Sequence, residues 1–432
     1  MRVCAVRPAV LVFAFLGLCR GQGTPVQLTL AQAQNIAVQN HPQLAAARSI
    51  ASASHQVPLE LRSVQQPQLS GSLTGVEADN GSRLAAGFLN NPALYSRIGA
   101  GVSATQLITD FGRTRDLVQS ADLHAQAQDQ NAEATRTLIL MAADQAYFDE
   151  LRAESVLKVA QETVSARQLV ADQIGALQRS GLRSTLDVSF ANVNLSDAKL
   201  LLVTAQNNIN AAQVQLANAL GMPGQAQQGG FVLSPEPPPG PLPATLQPLI
   251  DQALRDRPEA AALRLEQTSA DRAAKAEHDL YFPTVSAAGV AGLVPTGVSQ
   301  VPGQYGAIGV NLNVPIFNGH LFKARQTEAE LRALAATQNL RDLENRIQRD
   351  VAVALLNATT AFQRIGLTAE YLEQARMAAD LAQTRYDNGL GSIVELSQAQ
   401  LTVTDAEIAN STAEYNYQIE RANLAFQMGA LR

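Results

Sequence analysis

Residues 179–187 read RSGLRSTLD, and residues 387–395 read DNGLGSIVE. Both are Gly-Leu-x-Ser followed by a β-branched residue, an aliphatic one and an acid. Glycine tolerates the positive φ of a tight turn, and a serine after it suits the start of a returning helix. Each turn lies between stretches without proline: 113–180 and 185–220 around the first, 321–388 and 393–428 around the second. A helix rises 1.5 Å per residue, so the longer stretch of each pair predicts a rod of roughly 100 Å. Along 113–180 the apolar residues Ile139, Ala143, Ala146, Ala153, Leu157, Ala160, Val164, Ala171 and Ile174 recur at 3–4 spacing, interrupted by Glu150 and Arg167. That is heptad packing with small side chains.

The repeated turn belongs to a repeated plan. From Gly181 to Gly221, an ungapped shift of 208 gives 13 identities in 41 positions. NHPQLAAAR (40–48) lies over DRPEAAALR (256–264) at a shift of 216, which places an 8-residue insertion between Pro67 and Gly101. The chain therefore divides into a first repeat, 24–221, an extended Pro/Gly-rich linker, 222–243, and a second repeat, 244–432. Each repeat opens with a helix: 29–64, with a Thr29-x-x-Gln32 capping box and breaks allowed at Pro42 or Pro58, and 245–280. The two shorter helices of a repeat together match the long one and can stack end to end along it.

Between the first and long helices, alternation replaces helical period. Residues 68–76 and 98–107, and 284–294 and 305–315, read as strands. From Leu280 to Phe322 there is no Asp, Glu, Lys or Arg, and Ile308, Val310, Leu312 and Val314 alternate with Gly309, Asn311 and Asn313. Aromatics stand near the strand ends: Tyr95, Phe111, Tyr281, Phe282, Tyr305 and Phe317. Such strands suit a transmembrane β-barrel; alternation alone also fits a soluble sheet with one wet face, and the missing charge favours lipid. Four strands cannot close a barrel, so subunits must share one. Three chains give twelve strands, although arithmetic also permits two or four.

The N-terminus MRVCAVRPAVLVFAFLGLCRGQG (1–23) reads as a secretory signal peptide. Its removal takes three arginines and changes the net charge from −6 to −9, since 1–23 holds no acid. Both cysteines, Cys4 and Cys19, lie in it, so the mature chain has neither a disulfide frame nor a Cys metal site. Cys19 is also a candidate lipid anchor, although Leu18 before it is bulky where a small residue is usual. No later run reaches the roughly 18 apolar residues of a membrane helix. The acidic balance does not indicate a nucleic-acid partner. His41, His55, His124, His278 and His320 show no metal-ligand spacing. GAGVSA (99–104) falls inside a strand pattern and is read as packing glycine; NGS (80–82) is a sequon on paper. No nucleophile elbow or phosphate loop appears, so no enzyme, cofactor or metal is expected.

Taken in order, LTLAQAQNIAVQNHPQLAAAR, QLITDFGR (106–113), RSGLRSTLD, DRPEAAALR, VPIFNGH (314–320) and NGLGSIVELSQAQ (388–400) resemble the TolC family of outer-membrane efflux channels. The resemblance covers essentially the whole mature chain. It implies a mainly α fold with a small β part: a homotrimer whose twelve-stranded transmembrane barrel, four strands per chain, continues into a twelve-helix periplasmic tube. It implies contact with outer-membrane lipid, a periplasmic adaptor (membrane fusion) protein, and an inner-membrane pump of the RND, ABC or MFS class that supplies the energy. The cargo would be small molecules, though type I secretion uses the same conduits.

The resemblance also assigns residues. The two turns become hairpin tips, with Gly181, Leu182, Ser184, Gly389, Leu390 and Ser392 as adaptor contacts; as bare sequence they are also simply good tight turns. Asp187, Tyr386, Glu395 and Gln398 match the family's pore gate, and as bare sequence the two acids are also ordinary helix-start acids. Gln398 stands where some members carry a second acid, and Gly391 where a basic tether is common. The resemblance therefore implies a single acidic ring, more loosely held. The competing readings are a periplasmic coiled-coil adaptor, which the duplication disfavours, and a scaffold without a pore, which leaves the strands unexplained.

Overall fold

The computed structural model describes residues 26–77, 83–86, 89–93, 97–225, 230–236, 240, 242, 245–294 and 303–431. The expected signal peptide, Cys19, Tyr95 and the 80–82 sequon lie outside them.

Helix α4 (Arg113–Arg179) and helix α8 (Leu321–Asp387) are the two rods, each of 67 residues. Each turns back at its tip into a 35-residue helix, α5 (Thr185–Ala219) and α9 (Ile393–Gln427). Where the sequence suggested one helix over 29–64, three form: α1 (Leu30–Asn40), α2 (Pro42–Ser54) and α3 (Val57–Ser63). Both prolines act. Each sits in the first turn of a new helix, where its missing N–H costs nothing. The expected 245–280 helix likewise divides into α6 (Leu246–Asp256) and α7 (Pro258–His278), ending in a 3-10 turn, Asp279–Tyr281. In each repeat the short helices lie along the long one, and α4 also packs on α7 and α9 of the other repeat.

Each repeat brings its backbone together at an equivalent place. Gly221 after α5 has φ +71°, and a Cβ there would come within 2.9 Å of the Asn40 carbonyl, at the break between α1 and α2. Gly429 after α9 has φ +69°, and its Cβ would meet Asp256 C at 2.9 Å, at the break between α6 and α7. The helix breaks and the glycines that end the returning helices thus form one joint, made twice.

Two features have no counterpart in the sequence reading. Strand β1 (Val26–Leu28) pairs in parallel with β6 (Phe231–Leu233), so the 222–243 segment is partly a strand rather than a plain extended linker. Tyr147 at mid-rod anchors that pair: its hydroxyl donates to the Ser234 carbonyl (2.6 Å) and lies 3.1 Å from the Leu28 carbonyl. Between Pro67 and Gly101, β3 (Arg83–Ala86) and β4 (Leu89–Ala93) make a small hairpin. Glu150 and Arg167, which interrupt the heptad pattern in sequence, are buried within the packed face. Burial and the neighbouring Glu154 push the Glu150 carboxyl up to about 7, and burial pushes Asp144 up to about 6 against a hydrogen bond from Gln34.

The four-stranded sheet comprises β2 (Gln68–Val76), β5 (Arg97–Thr109), β7 (Thr284–Leu293) and β8 (Gln304–Asn313), in the order β2-β5-β7-β8, antiparallel throughout. Register sorts its faces. Ser70 opposite Ser103, Gln68 opposite Thr105 and Ser286 opposite Asn311 share the polar face. The other face carries Leu69, Leu73, Ile98, Val102, Ile308, Val310 and Leu312, all exposed. At the helix end of the sheet the aromatics gather: Phe111 lies 6.2 Å from Phe282, and Tyr281 lies 5.8 Å from Phe322, centre to centre. Tyr305 is at the opposite end and, by register, on the polar face rather than the apolar one.

Candidate functional site: the paired hairpin tips

Both tips close by the same bonds. The Leu182 N–H donates to the Leu177 carbonyl (2.9 Å) and the Leu390 N–H to the Arg385 carbonyl (2.8 Å). Gly181 (φ +76°) and Gly389 (φ +72°) supply the left-handed residue this helix ending requires. Leu182 and Leu390 then point outward, 70% and 74% exposed. Next, Ser184 and Ser392 cap the returning helices, accepting from the N–H of Asp187 (3.2 Å) and Glu395 (3.1 Å).

The acids differ. Asp187 completes a capping box by accepting from the Ser184 N–H at 3.0 Å. Glu395 instead pairs with Arg385 across its own turn, Nε to Oε1 3.4 Å. A Cβ on Gly391 would stand 3.2 Å from the Arg385 stem and 3.3 Å from Glu395 Oε2. The bare glycine therefore leaves room for that pair, where a larger residue would crowd it.

Tyr386 is not an exposed aromatic; only 4% of its surface is accessible. It packs with Ala171, Ile174, Leu195, Ile393 and Leu396, and its hydroxyl is buried without a hydrogen-bond partner among the described residues. Burial raises its pKa, and the neighbouring Arg183 charge works against that rise. The Arg183 guanidinium lies 4.0 Å from the Tyr386 ring centre and donates to the Tyr386 carbonyl at 3.0 Å. Arg183 belongs to the first tip and Tyr386 to the second, so one side chain ties the tips together. Asn194 makes a second tie, donating to Ser397 Oγ at 2.8 Å. Gln398 is exposed and takes no part in these contacts.

The structure thus brings together Asp187, Tyr386, Glu395 and both turns, with Gln398 at the margin. Sequence reasoning missed Arg183 and Arg385. Gly391 was read as a lost basic tether; two arginines stand within the same turns. The signal was present, since Arg183 is the residue facing Gly391 in the repeat.

The sequence model of the outer membrane efflux protein family matches residues 33–222 and 249–430, one match in each repeat. The chain is 24% identical to the outer membrane protein TolC of Salmonella enteritidis, over 93% of its own length and 83% of that protein's. It is 22% identical to the cation efflux system protein CusC of Escherichia coli (strain K12), covering 84% of this chain and 78% of that one. A solved structure of CusC superposes with a TM-score of 0.81 at 19% identity, over 93% of this chain and 92% of that one, a likeness of fold. The family match spans most of both repeats: the chain belongs to the outer membrane efflux protein family, and is an outer-membrane efflux channel of the TolC and CusC type, a transport protein rather than an enzyme.

Proposed function

We propose that the channel is a homotrimer, a passive duct for small molecules within a tripartite efflux system. The observation that carries this reading is the sheet. Its outer strands, β2 and β8, are antiparallel to their inner neighbours and have no partner on their outer sides among the described residues. Their lengths match, 9 and 10 residues. An open edge in hydrocarbon leaves N–H and C=O groups unsatisfied, which costs several kcal/mol per group. With β2 running opposite to β8, β8 of one protomer can pair with β2 of the next, and three copies close twelve strands. The apolar face then meets outer-membrane lipid and the polar face lines the bore.

Below the barrel, the rods of three protomers form the periplasmic tube. Six tips ring its far end, where Leu182 and Leu390 offer exposed apolar contacts to a periplasmic adaptor. That adaptor connects the duct to an inner-membrane pump of the RND, ABC or MFS class. Asp187, Tyr386, Glu395 and Gln398 form the gate region, and Arg183 holds the two hairpins of each protomer together there. The test is the mass of protein extracted in detergent from isolated outer membranes, by light scattering with the detergent subtracted. Three times the mature chain supports the shared barrel; a monomer recovered without detergent removes it.

A further inference from the structure

One row of the sheet differs from the rest of its polar face. Ser72, Gly101, Gly292 and Tyr305 stand opposite one another on β2, β5, β7 and β8. Tyr305 lies along this row, over both glycines. A Cβ on Gly101 would fall 2.5 Å from the Tyr305 hydroxyl; one on Gly292 would fall 2.5 Å from the hydroxyl and 2.6 Å from ring atom Cζ. Contacts that short do not occur, so the ring can lie down only because neither strand carries a side chain there. Neighbouring strands are about 4.8 Å apart, and the ring spans them with its hydroxyl toward β2. A shallow depression of about 930 Å³ lies over the same row, lined by Ser72, Gly101, Gly292 and Tyr305 among others. Neither glycine has a positive φ, so backbone conformation does not explain them. An aromatic laid over strand glycines is a recognised way of shielding them.

We propose that Gly101 and Gly292 form a seat that holds Tyr305 flat on the barrel wall, and that this seat sets the bore at the outer end of the channel. The proposal rests on the trimeric-barrel reading, in which the polar face is the lumen. Three seated rings then pave the wall instead of pointing at the axis, and pore diameter decides which solutes pass. A side chain on the Gly101 position would lift the ring into the path of bulky uncharged solutes. Gly101→Ala is the cleaner perturbation. Its nearest obstacle is the far end of a flexible side chain, with the Ala291 carbonyl 3.4 Å away, whereas a Cβ on Gly292 would also meet the Ala100 carbonyl at 2.6 Å.

The experiment reads access from outside the cell. Ala288 is exposed and lies on the polar face four residues nearer the helix end than Gly292, opposite Thr105 and Gly309. Ala288→Cys provides a thiol there, with the chain lacking this substitution as the background control. Whole cells expressing the full chain receive maleimide-polyethylene glycols of increasing size, and the largest reagent that labels is recorded. Gly101→Ala is expected to lower that size limit, Gly101→Ala with Tyr305→Ala to restore it, and Tyr305→Ala alone to leave it near the parent value. An unchanged limit in Gly101→Ala overturns the seat. So does a clear rise in Tyr305→Ala alone, which would mean that the ring already projects; this second test decides the matter if Gly101→Ala fails to label even with the smallest reagent. If the smallest reagent does not reach Ala288→Cys in the otherwise unchanged chain, the barrel reading itself falls.

Discussion

At the first tip, Asp187 turns back on the helix it begins and binds the Ser184 N–H; at the second, Glu395 reaches across its turn to Arg385. The two turns share glycine, leucine, serine and nearly the same closing bonds, yet one acid finishes a local cap and the other is left to a half-exposed ion pair. Residue three of the turn accounts for the divergence. As Arg183 it reaches to the other tip and covers Tyr386; as Gly391 it gives Arg385 and Glu395 room to meet. Duplication supplied two equal turns, and a single position made one the clasp and the other the part it fastens.

Removing the clasp should have the largest effect. Arg183→Ala loses a cation–π contact and a charge-assisted hydrogen bond, together about 3 kcal/mol. If the clasp opposes opening, the open fraction rises by roughly 100-fold, seen as resting conductance in a bilayer; conductance like the parent's would show that the tips are held otherwise. Next come the outward leucines. Leu182→Asp or Leu390→Asp should weaken adaptor binding by roughly 30-fold, about the 2 kcal/mol of one buried leucine, without moving the melting temperature. A change at one tip only would show that the adaptor tells them apart.

Smaller still, Ser184→Ala and Ser392→Ala each remove a cap worth about 1 kcal/mol. Amide exchange should quicken more at the first tip, where the cap is reciprocal, and equal quickening would erase that distinction. Last, Glu395→Ala should raise small-solute leakage while leaving the trimer intact. The Arg385–Glu395 pair is half-exposed, so its loss is worth under about 1 kcal/mol. Leakage equal to that of Arg183→Ala would reverse the roles assigned to the two tips.

Much of this architecture was legible because its signals are long. A rod of 67 residues without proline, and strands alternating through an uncharged stretch, leave few other readings. Short features escaped. The β1–β6 pair has three residues a side and joins segments some 200 positions apart, so no periodicity could betray it. Glu150 and Arg167 read as breaks in a heptad because pattern reasoning treats charge as exposed. At the tips the repeat helped and misled together: it aligned the turns, then drew attention to what they share. Arg183 matters because it is where they differ.

The carboxyls buried at mid-rod have a consequence of another kind. Burial pushes the Glu150 carboxyl up to about 7 in the folded chain, well above its ordinary value near 4.5, and Asp144 up to about 6, against 3.8. Between the lower and upper values the folded form holds protons that the unfolded form has released, so stability falls as pH rises through that window. The stability these two carboxyls contribute is therefore full in acid and lost toward neutrality, a slope that thermal melts between pH 5 and 8 would read directly. A duct standing in the periplasm thereby carries its own response to the acidity of the medium outside.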